Sequence, residues 1–211
     1  MHRSGVDPTD YSSWNRDKLI TELKKIIRKF YTGNHLEKVL KVIIGYYVDR
    51  DEEKEFEFYI NRYTEFLSDL IFFVPTVDGI LARRNAGWEI YAYSLDHYNN
   101  ATWNKNVPQK LRGPVHGSEL PYTIGKHIVD NIHEVETSAE EQVVAEVFQQ
   151  SFSEFVKTGV PSNDHRAWLD VGTDANIRYL QITPSPRMKQ GFYNESAAFW
   201  HKIREYGFDI V

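Results

Sequence analysis

The segment Gly113-Pro-Val-His-Gly-Ser-Glu-Leu-Pro-Tyr-Thr-Ile-Gly125 sets a histidine, His116, among small residues in the middle of the chain. Glycine at 113 and 117 lets the backbone turn sharply and approach a partner closely, because it carries no Cβ to clash. A run of aromatic and β-branched residues, Trp88-Glu-Ile-Tyr-Ala-Tyr-Ser-Leu95, lies upstream and reads as a strand. A histidine on a glycine-flanked loop after a strand is a candidate general base, since imidazole takes up and returns protons near neutral pH.

Upstream of that strand the pattern is helical. Leu19, Leu23, Ile26, Ile27 and Phe30 recur at helical spacing within Asp17–Tyr31, and Gly33 is a stop signal. Leu36–Val48 repeats the pattern, and Glu52–Phe73 gives a third helix with Phe56, Ile60, Tyr63, Leu67, Leu70 and Ile71 on one side. Pro75 lacks a backbone donor, so a kink or restart is expected before Val77–Ala86. Residues 1–13 read as an irregular lead-in, and Asp96–Arg112 as a loop. Downstream, Ser138-Ala-Glu-Glu141 is a capping-box pattern that opens a helix through Lys157. Ile177–Ile182 reads as a short strand and Glu195–Tyr206 as a terminal helix.

Composition bounds the function. The chain has 211 residues, a net charge of −5, and 41% hydrophobic and 14% aromatic residues, enough for a packed core. The acidic balance argues against nucleic acid as a partner. No apolar run reaches the 18 or so residues of a membrane span, and the start has no apolar core of a signal peptide. With no cysteine, disulfides and thiolate chemistry are excluded. The eight histidines show no metal-ligand spacing, so no metal or cofactor is expected. Asn100-Ala-Thr102 and Asn194-Glu-Ser196 are sequons, which makes Asn100 and Asn194 candidate glycosylation sites.

Landmarks along the chain resemble the type-B carboxylesterase and cholinesterase family in the same order. They are Asp69-Leu-Ile-Phe-Phe-Val-Pro75, Trp88–His97, His116-Gly-Ser-Glu-Leu-Pro-Tyr122, Phe155-Val-Lys-Thr-Gly-Val-Pro161 with Trp168 after it, and Phe199-Trp200. The resemblance implies the C-terminal part of an α/β-hydrolase fold, with helices packed on a partial sheet and residues 1–211 forming part of one carboxylesterase domain. It implies a small-molecule ester substrate for the complete enzyme, and a family often secretory or extracellular. It places His116 as general base and Glu119 as a buried carboxylate behind the histidine loop.

The chain departs from the family in two ways. It has no Gly-x-Ser-x-Gly; the pair Gly113 and Gly117 encloses Val115. The family's triad runs Ser, then Asp or Glu, then His, so the nucleophile, the acid and the oxyanion-hole glycines are expected upstream of Met1. Second, Val74 and Ala197 stand where the family often has cysteines. The alternatives to an enzyme part are a non-catalytic, cholinesterase-like interaction or adhesion protein and a truncated gene product.

Overall fold

A computed structural model describes residues 6–49, 55–124 and 138–209. In chain order these form α1 (Arg16–Phe30), α2 (Leu36–Tyr47), α3 (Phe56–Ser68), α4 (Val74–Asn85), β1 (Tyr93–Leu95), α5 (Leu120–Ile124), α6 (Ala139–Thr158), β2 (Arg178–Ile182), β3 (Arg187–Gln190) and α7 (Asn194–Arg204). They fall into two compact units. One comprises His2–Gly79, Asn106–Leu111 and Tyr193–Val211, the other Ile80–Lys105 and Arg112–Phe192, with α4 contributing a stretch to each.

The first unit is helical. The lead-in is not irregular: a 3-10 helix spans Pro8–Ser13, and the Asp7 carboxylate accepts from the Thr9 N–H at 2.9 Å. Asn15 caps α1 through its side-chain oxygen, which accepts from the Lys18 N–H at 3.0 Å. The apolar spacing then buries Leu19, Leu23 and Ile27, while α2 buries Val39, Leu40, Ile43 and Tyr47. These two helices pack on each other and on α3.

Pro75 leaves its mark just upstream. Asp69–Phe73 is a π-helical turn, in which the Val74 N–H reaches back five residues to the Asp69 carbonyl. The wider turn changes the hydrogen-bond register where proline cannot donate, and α4 follows directly.

That turn presents Asp69, 1% exposed, to the core. The Tyr47 hydroxyl donates to the Asp69 carboxylate at 2.7 Å and accepts from the Trp200 indole N–H at 2.8 Å. Burial, reinforced by the Asp69 charge, pushes the Tyr47 hydroxyl pKa up. Val74 and Ala197, the positions where the resembled family often has cysteines, are both buried apolar residues here.

α7 starts from Tyr193, whose left-handed backbone (φ 48°) is held while its ring stacks on Phe73 at 3.7 Å. Near its end, Asp78 accepts from His201 at 2.7 Å and from Arg204 at 2.5 Å.

The second unit carries the sheet, ordered β1-β2-β3. β1 and β2 are parallel with Tyr93 opposite Leu180, and β2 and β3 antiparallel with Leu180 opposite Met188. The expected strand Trp88–Leu95 is shorter, since only Tyr93–Leu95 completes the ladder. The residues before it still bond to neighbours, the Ile90 carbonyl to the Val171 N–H and the Ala92 carbonyl to the Leu180 N–H. The expected strand Ile177–Ile182 appears as β2. Tyr122, Val144, Val147, Phe148, Trp168, Leu180 and Ile182 form the core between the sheet and α5 and α6. The Trp168 indole donates to the Ala92 carbonyl at 3.1 Å.

Tyr47→Phe removes the hydroxyl that both supplies a donor to buried Asp69 and accepts from Trp200. It is expected to cost about 1–3 kcal/mol, the penalty for losing a partner of a buried polar group, read as a lower urea midpoint at unchanged slope. Asp78 gives a pH test. Burial alone would raise its pKa, but the hydrogen bonds from Arg204 and His201 outweigh it and hold the carboxyl below its ordinary 3.8. Its contribution is therefore fully present above pH 3.8 and fades as pH falls through the lower folded value. Asp78→Asn should be less stable than the parent at neutral pH, and the gap should close on acidification below that value; a gap constant with pH would refute this.

Candidate functional site

His116 begins a turn rather than lying in open loop. The Ser118 N–H donates to the Val115 carbonyl at 2.9 Å, so His116 and Gly117 are the central pair. Gly117 has φ +79°, the left-handed region that this third position of a turn requires and that glycine enters without strain. The imidazole of His116 is exposed, whereas Gly113 and Gly117 on either side are buried. The backbone is thus packed in and the side chain is presented outward.

Contacts on both sides steady this turn. Before it, Arg112 donates to the Asn100 side-chain oxygen at 2.8 Å and to the Lys105 carbonyl at 3.3 Å. After it, the Glu119 carbonyl accepts from the N–H groups of Tyr122 and Thr123, both at 3.0 Å, and so starts α5. α5 is five residues long and falls inside the histidine segment, where the sequence offers no helical periodicity.

The anchor of α5 is Tyr122. Its ring lies parallel to Phe148 of α6 at 6.4 Å, its hydroxyl donates to Glu141 at 3.3 Å, and the Gln149 amide donates to its carbonyl at 3.2 Å. Burial and then the Glu141 charge raise its hydroxyl pKa.

Glu141 is the meeting point. The capping box is present as the sequence predicts: the Ser138 hydroxyl accepts from the Glu141 N–H at 3.2 Å and the Glu141 carboxylate accepts from the Ser138 N–H at 3.0 Å. The same carboxylate accepts from the Asn99 amide at 2.9 Å. One buried side chain thus ties the start of α6, the segment after β1 and α5 together. Sequence reasoning found Glu141 as a cap but not as this link, since Asn99 and Tyr122 are remote from it in sequence.

Glu119 is half-buried rather than buried. Its charge is felt at Tyr93, whose hydroxyl is raised mainly by burial and further by Glu119. Asp96 makes the structural contacts expected after the strand, accepting from Ser94 at 2.7 Å and from Gln181 at 2.5 Å. Of the two sequons, Asn100 is exposed and begins a 3-10 turn, with its side-chain oxygen held by Arg112, and Asn194 is half-buried at the start of α7. His127 and His133 lie outside the described residues.

A polar hollow of about 500 Å³ lies along α6, lined by residues including Gln150, Lys157 and Asp164. Within it Gln150 pairs with Asp164 and Lys157 with Glu154. Among the described residues, no group of three or more acidic or histidine side chains is placed to hold a metal ion, and no helix is long and apolar enough to cross a membrane.

A model of the carboxylesterase family matches residues 4–200. Gut esterase 1 of Caenorhabditis elegans is 28% identical over 98% of this chain, and Gut esterase 1 of Caenorhabditis briggsae is 30% identical over 98%. The chain spans only 38% and 37% of the length of those two relatives. Neuroligin-1 of C. elegans is 23% identical over 90% of this chain, which covers 26% of it. Among solved structures, a carboxylesterase of Geobacillus stearothermophilus superposes with a TM-score of 0.63 at 16% identity, over 91% of this chain and 36% of the other. That likeness shows the fold: part of an α/β hydrolase, helices packed on a partial sheet.

Glu141→Gln keeps the size of the side chain but replaces an acceptor oxygen by a donor where three donors converge. A loss of about 1–3 kcal/mol is expected, with faster amide exchange at Tyr122 and Thr123 than elsewhere in the unit. Uniform acceleration across the unit would show that Glu141 does not hold α5 in particular.

Proposed function

We propose, because this chain belongs to the carboxylesterase family, that residues 1–211 are the C-terminal portion of a single carboxylesterase domain, incomplete on its N-terminal side, that acts on small-molecule carboxylic esters. His116 is its general base. The observation that carries this reading is the exposed imidazole on a glycine-closed turn whose backbone is buried. Such a group can reach a serine hydroxyl presented from outside these residues, take its proton as the bond to the ester carbon forms, and return it to the leaving alcohol. Glu119 stands behind the turn as a supporting carboxylate.

By itself the 211-residue chain is inactive in this reading. Its sequence holds no Gly-x-Ser-x-Gly, so no serine is set on the sharp strand-to-helix elbow that makes it a nucleophile. A second reading, a non-catalytic cholinesterase-like interaction protein, is favoured by the similarity to Neuroligin-1 across most of the chain.

Labelling and turnover test the inactivity of the isolated chain, and a longer version separates the two readings. The isolated chain should show no stoichiometric fluorophosphonate labelling and no turnover of a chromogenic acetate above buffer; labelling of any serine would refute the inactivity. In a longer version of the protein carrying the serine elbow, His116→Ala should lower kcat by on the order of 10⁴–10⁶ with the fold retained. Glu119→Gln should cost less in rate, while His127→Ala and His133→Ala should be close to neutral. A longer version that binds a protein partner and hydrolyses no ester would favour the second reading.

A further inference from the structure

We propose that, of the two sequons, Asn100 carries an N-linked oligosaccharide in the folded protein and Asn194 does not. The inference is independent of whether the chain takes part in ester hydrolysis.

Both sites satisfy the Asn-x-Ser/Thr pattern, so the sequence alone does not choose between them. The attached group is bulky and hydrated, and belongs on a surface position. Asn100 is exposed, and so is Ala101 after it. The turn beneath them is fixed from behind. The Thr102 and Trp103 N–H groups donate to the Asn99 and Asn100 carbonyls at 3.1 and 3.3 Å, and the Thr102 hydroxyl donates to the Asn99 carbonyl at 2.7 Å. The Asn99 side-chain oxygen accepts from the Ala101 N–H at 2.8 Å, while its amide donates to Glu141 at 2.9 Å. Trp103 is buried at the end of the turn. Asn100 is therefore presented outward on an anchored piece of backbone.

The Asn100 side chain is also oriented for the chemistry. Its oxygen accepts from Arg112 at 2.8 Å, which directs the amide nitrogen, Nδ2, away from that contact. Glycosylation uses that nitrogen alone. Nδ2 attacks the anomeric carbon of a lipid-pyrophosphate-linked oligosaccharide. The new N–C bond forms, the bond from that carbon to the pyrophosphate oxygen breaks, the nitrogen gives up one proton, and the lipid pyrophosphate departs. The product keeps its amide oxygen, so the bond from Arg112 survives. Arg112 directly precedes Gly113, and the carbohydrate thus stands on the loop that steadies the His116 turn.

Asn194 has neither feature. It is half-buried at the first position of α7. Tyr193 before it holds a left-handed backbone and stacks on Phe73 at 3.7 Å. Ser196, the hydroxyl residue of this sequon, is half-buried, and Ala197 beside it is buried. An oligosaccharide on Asn194 would need the start of α7 moved out of its packing, so a chain glycosylated there does not complete the fold.

The test is expression of the chain in mammalian cells behind a cleavable signal sequence. Folded molecules are selected by resistance to a brief trypsin pulse. They are then denatured and treated with peptide-N-glycosidase in heavy-oxygen water, which converts each glycosylated asparagine into a labelled aspartate read by mass spectrometry. The label is expected at Asn100 and not at Asn194, and label at Asn194 confined to trypsin-sensitive molecules agrees with the proposal. Asn100→Asp should lose the carbohydrate and still yield trypsin-resistant chain, because its carboxylate accepts from Arg112 as the amide oxygen did. Asn194→Asp should leave the Asn100 label unchanged. The proposal is overturned if no trypsin-resistant molecule carries the Asn100 label, or if Asn194 is labelled among the resistant molecules.

Discussion

The second unit depends on keeping one buried carboxylate satisfied. Glu141 sits where a helix N-terminus, a loop and a short helix converge, and burying a carboxylate without donors costs several kcal/mol. It accepts from the Ser138 backbone, the Asn99 amide and the Tyr122 hydroxyl, so those three groups must be present together in one arrangement. Removing any one leaves a deficit that packing does not repair. The turn that presents His116 lies just before α5, and its position is inherited from that convergence.

The helical unit applies the same logic around Asp69. Pro75 cannot donate, the chain widens by one residue into a π-turn, and the turn carries Asp69 inward. Tyr47 from α2 then satisfies the carboxylate, and Trp200 from α7 satisfies Tyr47. A backbone irregularity forced by one proline is thereby turned into a polar link joining distant parts of the sequence. Val74, next to the same proline, and Ala197 in α7 both fill buried space as apolar residues where the family often has cysteines. In this unit the polar link joins α2, the turn and α7 without covalent help.

Helical periodicity made α1, α2 and α3 legible, because one apolar face at 3.6-residue spacing is a local signal. The Ser138–Glu141 cap was legible for the same reason, its partners being three residues apart. The short elements escaped. β3 reads Arg187-Met-Lys-Gln190, mostly exposed at a sheet edge with no clear alternation, and α5 is too short for periodicity and carries Pro121. The strand ahead of the histidine was overextended, since aromatic spacing reports a half-buried extended backbone and not which residues find ladder partners. Asp69 and Trp200 each fell within a family landmark, yet nothing local says that they meet through Tyr47. At the site, the glycines pointed to the turn, and φ +79° at Gly117 is the physical reason. Glu119 was expected to be buried but is half-buried.

The apolar stripe of α6 runs past the point where burial stops. Helix stability does not call for phenylalanine in the last turns, since aromatic residues lose rotamer freedom there and gain nothing from water. Phe152 and Phe155 nonetheless keep the spacing of Phe148 and Ser151 and rest on the tyrosines of β1. Fully burying a phenylalanine side chain stabilises by about 1.5–3 kcal/mol, and part of that gain is unrealised while Phe152 stays 38% and Phe155 48% exposed. The two features coincide in space: β1, whose ladder among the described residues runs to β2 alone, and the apolar row of α6 above it.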